Sequence, residues 1–398
     1  MILDLVCNRN DKYVVYDYRN SMNYFFLYQI LKAQLSSDVA THASDECAFN
    51  FYLKKFHSDS IVINDNGYGS PFDVEMSQDN PNGDFSYPVF HPSPGQPSDG
   101  CIILLHGLNE RRWEKYLPWA YQLASYTNKT VILFPLAYHM NRSPLEWGNP
   151  HKMMAYVKHR QVNQPEAKQL SVANVALSER LTDHPERFFL SGYQAANDLL
   201  NLVKRIQLGH YGEIKKNTQV DFFAYSIGAF LMQVLMMAHG EKELDKSRLF
   251  MFCGGSTFDD LQGVSKYIMD SVAFERIQHY YKYDVDSMAS GQLKDAITNT
   301  PIGQSFLDMI SRDRLSERRS CYSSALWDRI SAVVLKNDAV VLADRVKKTW
   351  KGMRVEEWDF PYTYSHIMPF PLLSNNWVDQ VNKAFDRLML RASLLFTT

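Results

Sequence analysis

Charge of either sign is almost balanced in this 398-residue chain: 42 Lys and Arg stand against 44 Asp and Glu, a net of −2. So weak an overall field does not gather nucleic acid or an anionic membrane from a distance, and no nucleic-acid partner is expected. Cysteine is scarce. Cys7, Cys47, Cys101, Cys253 and Cys321 are odd in number, widely spaced and without a C-x-x-C pair, which argues against a disulfide framework or a zinc knuckle. Cys101 and Cys253 lie in or beside apolar runs, where a buried thiol behaves as a small hydrophobe, and a reducing, cytoplasmic setting is expected. No stretch reaches the ~18 uninterrupted apolar residues of a membrane span. The opening MILDLVCNRNDKYVVYDYRN has neither a cationic n-region nor a long apolar h-region, so no secretion signal is expected. H-E-x-x-H, G-x-x-x-x-G-K-[ST] and G-x-G-x-x-G are all missing, which removes the minimal residues of metalloprotease, P-loop and dinucleotide chemistry. No internal repeat or long low-complexity segment occurs.

What the chain does have is apolar and aromatic substance, 45% hydrophobic and 13% aromatic residues, enough for a well-filled core and an aromatic-lined cleft. A helix is expected around Tyr24 to Leu35. Residues 64–100 are dense in Asn, Asp, Gly, Pro and Ser, which favour turns, with a short antiparallel edge strand near Tyr87 to Phe90. From Cys101 the pattern changes. CIILLHG is a continuous apolar run, NERRWEKYLPWAYQLASY has helical spacing, and TVILFPLA is a second β-branched run. Strand, helix, strand at this spacing is the signature of a parallel sheet buried on both faces. The alternation recurs: a helix from Tyr193, the strand VDFFAYS, the buried helix IGAFLMQVLMMAHG, then the strands RLFMFCGG, ISAVVLKND and MRVEEWDF. A closing helix carries Val378, Val381, Phe385 and Leu388 on one face.

The expected fold is therefore α/β: a mostly parallel, doubly wound sheet flanked by helices, with six strands from Cys101 onward. Two intervals, Tyr138 to about Asn217 and Thr257 to about Leu326, are too long for simple crossovers. The second is read as a helical cap inserted over the active face. The domain reading is 1–98 as an N-terminal extension with edge strands, 99–256 and 326–398 as the core, and 257–325 as the cap.

Ala224-Tyr225-Ser226-Ile227-Gly228 sits where a buried strand meets a buried helix. A serine on such a turn projects its hydroxyl beside the positive end of the helix, and the small residues two before and two after let strand and helix approach. Ser191 and Ser365 do not sit at such a turn. The Cys253-Gly254-Gly255-Ser256 stretch is read as a turn. Roughly residues 100–390 resemble the α/β-hydrolase superfamily, in which the acid follows the nucleophile and the histidine comes last. The resemblance implies Ser226 as nucleophile, Asp338 at the carboxyl end of SAVVLKN as the acid, and His366 in FPYTYSHIMPF as the base. It implies an oxyanion hole from the backbone N–H groups of Ile227 and, in His106-Gly107-Leu108-Asn109, of Leu108, with His106 itself structural. Ala224 departs from the family's usual Gly. Arg142 and Tyr225 are candidate substrate-binding residues, though for Arg142 the favoured reading is structural, pairing with an acid in the cap. No metal or organic cofactor is implied. The expected activity is hydrolysis of a small-molecule carboxylic ester; the alternatives are amide, peptide or thioester cleavage on the same triad, or a non-catalytic binding protein that kept the fold.

Overall fold

The structure, a computed structural model, describes residues 4–7, 13–16, 23–36, 50–59, 81–92, 95–289, 291–372 and 376–397. Residues 64–80 and 93–94 of the turn-rich stretch, and Cys47, lie outside the described residues. In chain order the strands are β1 (Asp4–Cys7), β2 (Tyr13–Tyr16), β3 (Asn50–His57), β4 (Asp84–His91), β5 (Ser98–Leu105), β6 (Thr130–Leu133), β7 (Ile214–Tyr225), β8 (Leu249–Phe252), β9 (Ile330–Leu335) and β10 (Arg354–Trp358). β1 and β2 pair as a two-stranded antiparallel ladder. The other eight form one sheet in the order β10-β9-β8-β7-β5-β6-β4-β3. It is mixed: β4 runs antiparallel to both β3 and β6, and every other ladder is parallel. The segment Tyr87 to Phe90 lies in β4, antiparallel as expected but not at the edge, because β3 pairs beyond it.

The strands read as unbroken apolar runs because both faces of the sheet are covered. Successive side chains alternate between faces: Cys101, Ile103 and Leu105 belong to one core, Ile102 and Leu104 to the other, and all five are fully buried. The first face is covered by the helices Arg187–Gln207 and Ile227–His239; the second by Tyr24–Ser36, Leu117–Thr127 and Val378–Thr397. The Tyr24–Ser36 helix is thus part of the second layer. Tyr24 packs on Phe385 with ring centroids 4.7 Å apart, and its N–H donates to Asn382 Oδ1 at 2.9 Å.

Two helices start elsewhere than their patterns suggest. The pattern from Asn109 becomes helix only at Leu117, where Pro118 occupies the first turn, a place that suits its fixed φ and missing N–H. Asn109 has φ +61°, and the residues between form turns rather than a helical face. The helix expected from Tyr193 begins earlier, at Arg187.

Strand order places a switch point at β5. β6 lies to one side of it, and the chain then crosses back to put β7 on the other. Opposite the carboxyl end of β5, Leu105 is in register with Ala224 of β7, so the loops after these strands emerge side by side. Such a crevice is where ligands bind in open α/β sheets. The two long intervals roof it. Arg160, in the Pro150–Asn163 helix, is 1% exposed and grips Asp270 with Nε at 2.6 Å and Nη2 at 3.0 Å, while also reaching Glu179 and Thr182. Asp270 accepts from the Ala273 N–H at 3.0 Å and so caps the Ser271–His279 helix as well. One ion pair therefore ties helices of both intervals together. Removing Asp270 leaves the buried Arg160 with Glu179 as its one remaining countercharge among the described residues and strips the helix of its cap, so Asp270→Ala is expected to lower unfolding stability by about 3–5 kcal/mol, measured by urea denaturation. An unchanged midpoint would mean that the pair does not hold the roof.

Candidate functional site

Ser226 occupies the turn from β7 into the Ile227–His239 helix with φ +55° and ψ −118°, backbone values that cost a residue with a side chain free energy and persist only where the surroundings enforce them. Enforcement is steric. A Cβ on Gly228 would lie 2.7 Å from Leu105 Cβ and 3.0 Å from the His106 carbonyl oxygen, and one on Gly254 would lie 2.3 Å from Ala229 Cβ. Gly228 instead donates its N–H to that His106 carbonyl at 3.2 Å. Ala224 sits in the strand before the turn, fully buried, and its methyl does not prevent the turn from forming.

The Ser226 hydroxyl lies 2.8 Å from His366 Nε2, and His366 Nδ1 lies 2.7 Å from Asp338 Oδ2. An ionised carboxylate only accepts, so Nδ1 carries a proton and Nε2 is left to accept from the serine. The other oxygen, Oδ1 of Asp338, accepts from the N–H groups of Val340 at 2.8 Å and Val341 at 3.0 Å. Asp338 and His366 are 2% and 4% exposed, which strengthens each interaction by excluding water. Burial, and then the adjacent Asp338 carboxylate, push the Cys253 thiol well above its ordinary pKa, so it stays an S–H donor to that carboxylate. Neither the Ile227 nor the Leu108 backbone N–H has a hydrogen-bond partner among the described residues. Both residues border the cleft that Ser226 opens into.

The loops bearing these groups are braced by residues that the sequence pattern did not single out. Gly107 N–H donates to the Tyr116 hydroxyl at 3.0 Å, which donates to Glu110 Oε1 at 3.1 Å. Lys115 hydrogen-bonds the same oxygen and donates to the Ile367 carbonyl at 3.0 Å. The loop after β5 is thereby joined to the loop that carries His366. In sequence these charges look like the solvated face of a helix, and only the late helix start turns them inward.

Two of the expected site residues are placed elsewhere. Arg142 does not face the crevice. It is fully buried, with Nε on Asn82 Oδ1 at 3.0 Å, Nη1 on the Pro135 carbonyl at 3.1 Å and Nη2 on Asp198 at 2.8 Å, its guanidinium 4.2 Å from the Phe85 ring centre. Every nitrogen is engaged and the side chain is fully buried, so it is closed to a substrate; a buried cation needs such partners, and this one has them in the core. Burial raises the Asp198 carboxyl above its ordinary value even though Arg142 pulls it down. Tyr225 does not line a substrate cleft either. Alternation along β7 turns it to the opposite face from Ala224, fully buried, where its hydroxyl donates to the His366 carbonyl and its ring lies at 19° to the imidazole. It positions the histidine. His106 is structural: Nδ1 donates to the Gly107 carbonyl at 2.9 Å, Nε2 accepts from the Leu136 N–H at 3.0 Å, and burial pushes its pKa down to about 3.

One cleft opens at Ser226 and a second beside its neighbours Ile227 and Leu108, with about 500 and 580 Å³ of empty space, their open mouths included. Leu108, Ile227, Phe188 and Phe230 border both. Phe188 comes from the first long interval, and Phe258, 5.1 Å from it between ring centroids, from the second. Asn109 ties the loop after β5 to both intervals, its Nδ2 donating to the Ala173 and Tyr267 carbonyls at 2.8 Å each. Among the described residues, no charged side chain lines either cleft. Among the described residues, no group of three or more His, Cys, Asp or Glu could hold a metal ion, and no helix is long and apolar enough to cross a membrane.

Fold and site together define an α/β protein with a Ser–His–Asp chain of hydrogen bonds in the crevice at the carboxyl ends of its strands. Residues 44–397 match the family of unknown function DUF6051, and the chain belongs to that family. No curated protein matches it. In shape it is similar to three solved esterases, each 10% identical. The Pseudomonas putida enzyme aligns over 95% of this chain and 98% of its own (TM-score 0.39). The Pyrobaculum calidifontis enzyme aligns over 94% and 92% (TM-score 0.41), and that of Mycobacterium marinum over 92% and 88% (TM-score 0.43).

Because Tyr225 holds the backbone of His366, Tyr225→Phe is expected to shift the NMR resonances of the His366 imidazole while costing about 1 kcal/mol of unfolding stability, the size of one hydrogen bond. Unchanged imidazole resonances would mean that Tyr225 does not position the histidine.

Proposed function

We propose that this protein is a serine hydrolase of the α/β-hydrolase type that cleaves carboxylic esters of apolar, uncharged compounds. The observation that carries the proposal is the continuous hydrogen-bond chain Ser226–His366–Asp338, ending beside two backbone N–H groups that have no partner among the described residues. Ser226 Oγ attacks the ester carbonyl carbon while His366 Nε2 takes its proton. Asp338 holds the ring in the required tautomer and stabilises the imidazolium as it forms. The negative charge that develops on the carbonyl oxygen is met by the N–H groups of Leu108 and Ile227, donors of a kind worth ~10²–10³ in rate each. Collapse breaks the bond to the leaving alkoxide, which receives the proton from His366. Water then attacks the acyl-serine with His366 again as base, and the carboxylic acid departs as Ser226 recovers its proton.

The lining of the clefts favours an ester over a peptide. A peptide brings several backbone donors and acceptors into the site, and walls of Leu, Ile, Val and Phe would leave them unpaired at a cost. The intact hydrogen-bond chain favours catalysis over a purely binding role.

A panel of p-nitrophenyl esters tests the reading. Wild type is expected to hydrolyse them, Ser226→Ala to lose that activity while keeping its unfolding midpoint, and Asp338→Asn to lose about 10⁴ in kcat, as the corresponding change does in a serine protease. Full activity in Asp338→Asn would require a different acid.

A further inference from the structure

Leu108 and Ile227 border both clefts, so an ester whose carbonyl oxygen meets their N–H groups has room to send one arm into each. The second cleft is walled by Leu136, Phe189, Leu231, Val234, Ile302 and Phe306 among other carbon-rich side chains, and His139 also borders it. The Ser191 hydroxyl on that wall is engaged, donating to the Phe188 carbonyl at 3.1 Å. His139 is only partly engaged. Its Nδ1 lies 2.8 Å from the Ala137 carbonyl, which can only accept, so Nδ1 bears the proton and Nε2 has a free lone pair. Burial, reinforced by the His106 ring 5.1 Å away, holds the imidazole neutral, its pKa pushed down to about 3. Nε2 is buried and has no partner among the described residues, and the residue as a whole is 8% exposed. A buried acceptor left without a donor is costly, and the mechanism above does not use this one.

We propose that His139 Nε2 is a specificity-determining acceptor for a hydrogen-bond donor, a hydroxyl or amide N–H, carried along the apolar substrate arm that enters the second cleft. The inference rests on the ester-hydrolase reading and narrows its substrate class to esters with a hydroxylated or amide-bearing chain. The direction of the bond sets the selectivity. A hydroxyl can give Nε2 a proton to share; a keto or ether oxygen at the same carbon cannot, and it loses its own water on entry.

The test measures kcat/KM for p-nitrophenyl alkanoates, plain and hydroxylated at successive carbons, and for a matching series of hydroxyalkyl esters that places the donor on the alcohol arm. The ratio of hydroxylated to plain ester on one preparation is independent of how much enzyme is folded. In wild type that ratio is expected to peak at one hydroxyl position, and His139→Phe is expected to lower the peak about tenfold or more, the size of one hydrogen bond. A ratio unchanged by the substitution in both series overturns the proposal while leaving the hydrolase reading standing. A second comparison needs no variant: at the peak carbon, wild type is expected to turn over the hydroxy ester at least about tenfold faster than the keto ester, and equal rates overturn the proposal. If wild type hydrolyses no ester of either kind, the hydrolase reading falls first and this inference with it.

Discussion

Nothing larger than hydrogen fits between the start of the Ile227–His239 helix and the end of β5, where a Cβ at residue 228 would meet Leu105 Cβ at 2.7 Å. That closeness has three consequences. It brings the helix's first N–H groups to the mouth of the crevice, where the helix end is positive. It holds Ser226 in a backbone conformation that its side chain would otherwise resist. It also sets the loop after β5, which carries Leu108, beside the turn that carries Ser226 and Ile227. The register of Leu105 with Ala224 makes this approach possible, and the register in turn depends on a sheet buried on both faces.

Charged side chains act around this crevice but not in it. Arg160 and Asp270 join the roof helices, Arg142 and Asp198 stiffen the ground beneath, and Glu110 and Lys115 link the loop after β5 to the histidine loop. Each pair meets the cost of desolvation with near-complete hydrogen bonding. Carbon lines most of the two clefts, with Ser226, His139 and a few other polar residues standing out from it. A site of this kind selects by shape and by a small number of directed hydrogen bonds, since it offers no countercharge.

The six strands from Cys101 onward were legible because strands buried on both faces write themselves as continuous apolar runs, and β5 to β9 do so plainly. Ser226, Asp338 and His366 were legible as a group because each falls at the carboxyl end of, or just after, such a run, and these are the residues that the structure brings within hydrogen-bond reach. Other features were hidden for physical reasons. Arg142 follows a strand as a ligand-binding residue would, but its partner Asp198 lies 56 residues on, in a helix whose docking no local pattern reveals. Glu110, Lys115 and Tyr116 sit in a stretch with helical spacing that is not helix, so their inward direction could not be read from periodicity. Tyr225 was within reach: alternation along β7 already places it on the opposite face from Ala224. The antiparallel course of β4 was expected, but its place inside the sheet depends on a pairing with β3 beyond it that no single stretch of sequence encodes.

The central claim is that His366 and Asp338 make Ser226 reactive. It is tested most directly by exposing folded wild-type protein and Ser226→Ala to a fluorophosphonate, then determining intact mass and mapping the labelled peptide. A single adduct on Ser226 of the wild type, absent from the variant, is the predicted result. No adduct on folded wild type, or one on another serine that persists in Ser226→Ala, would contradict the account.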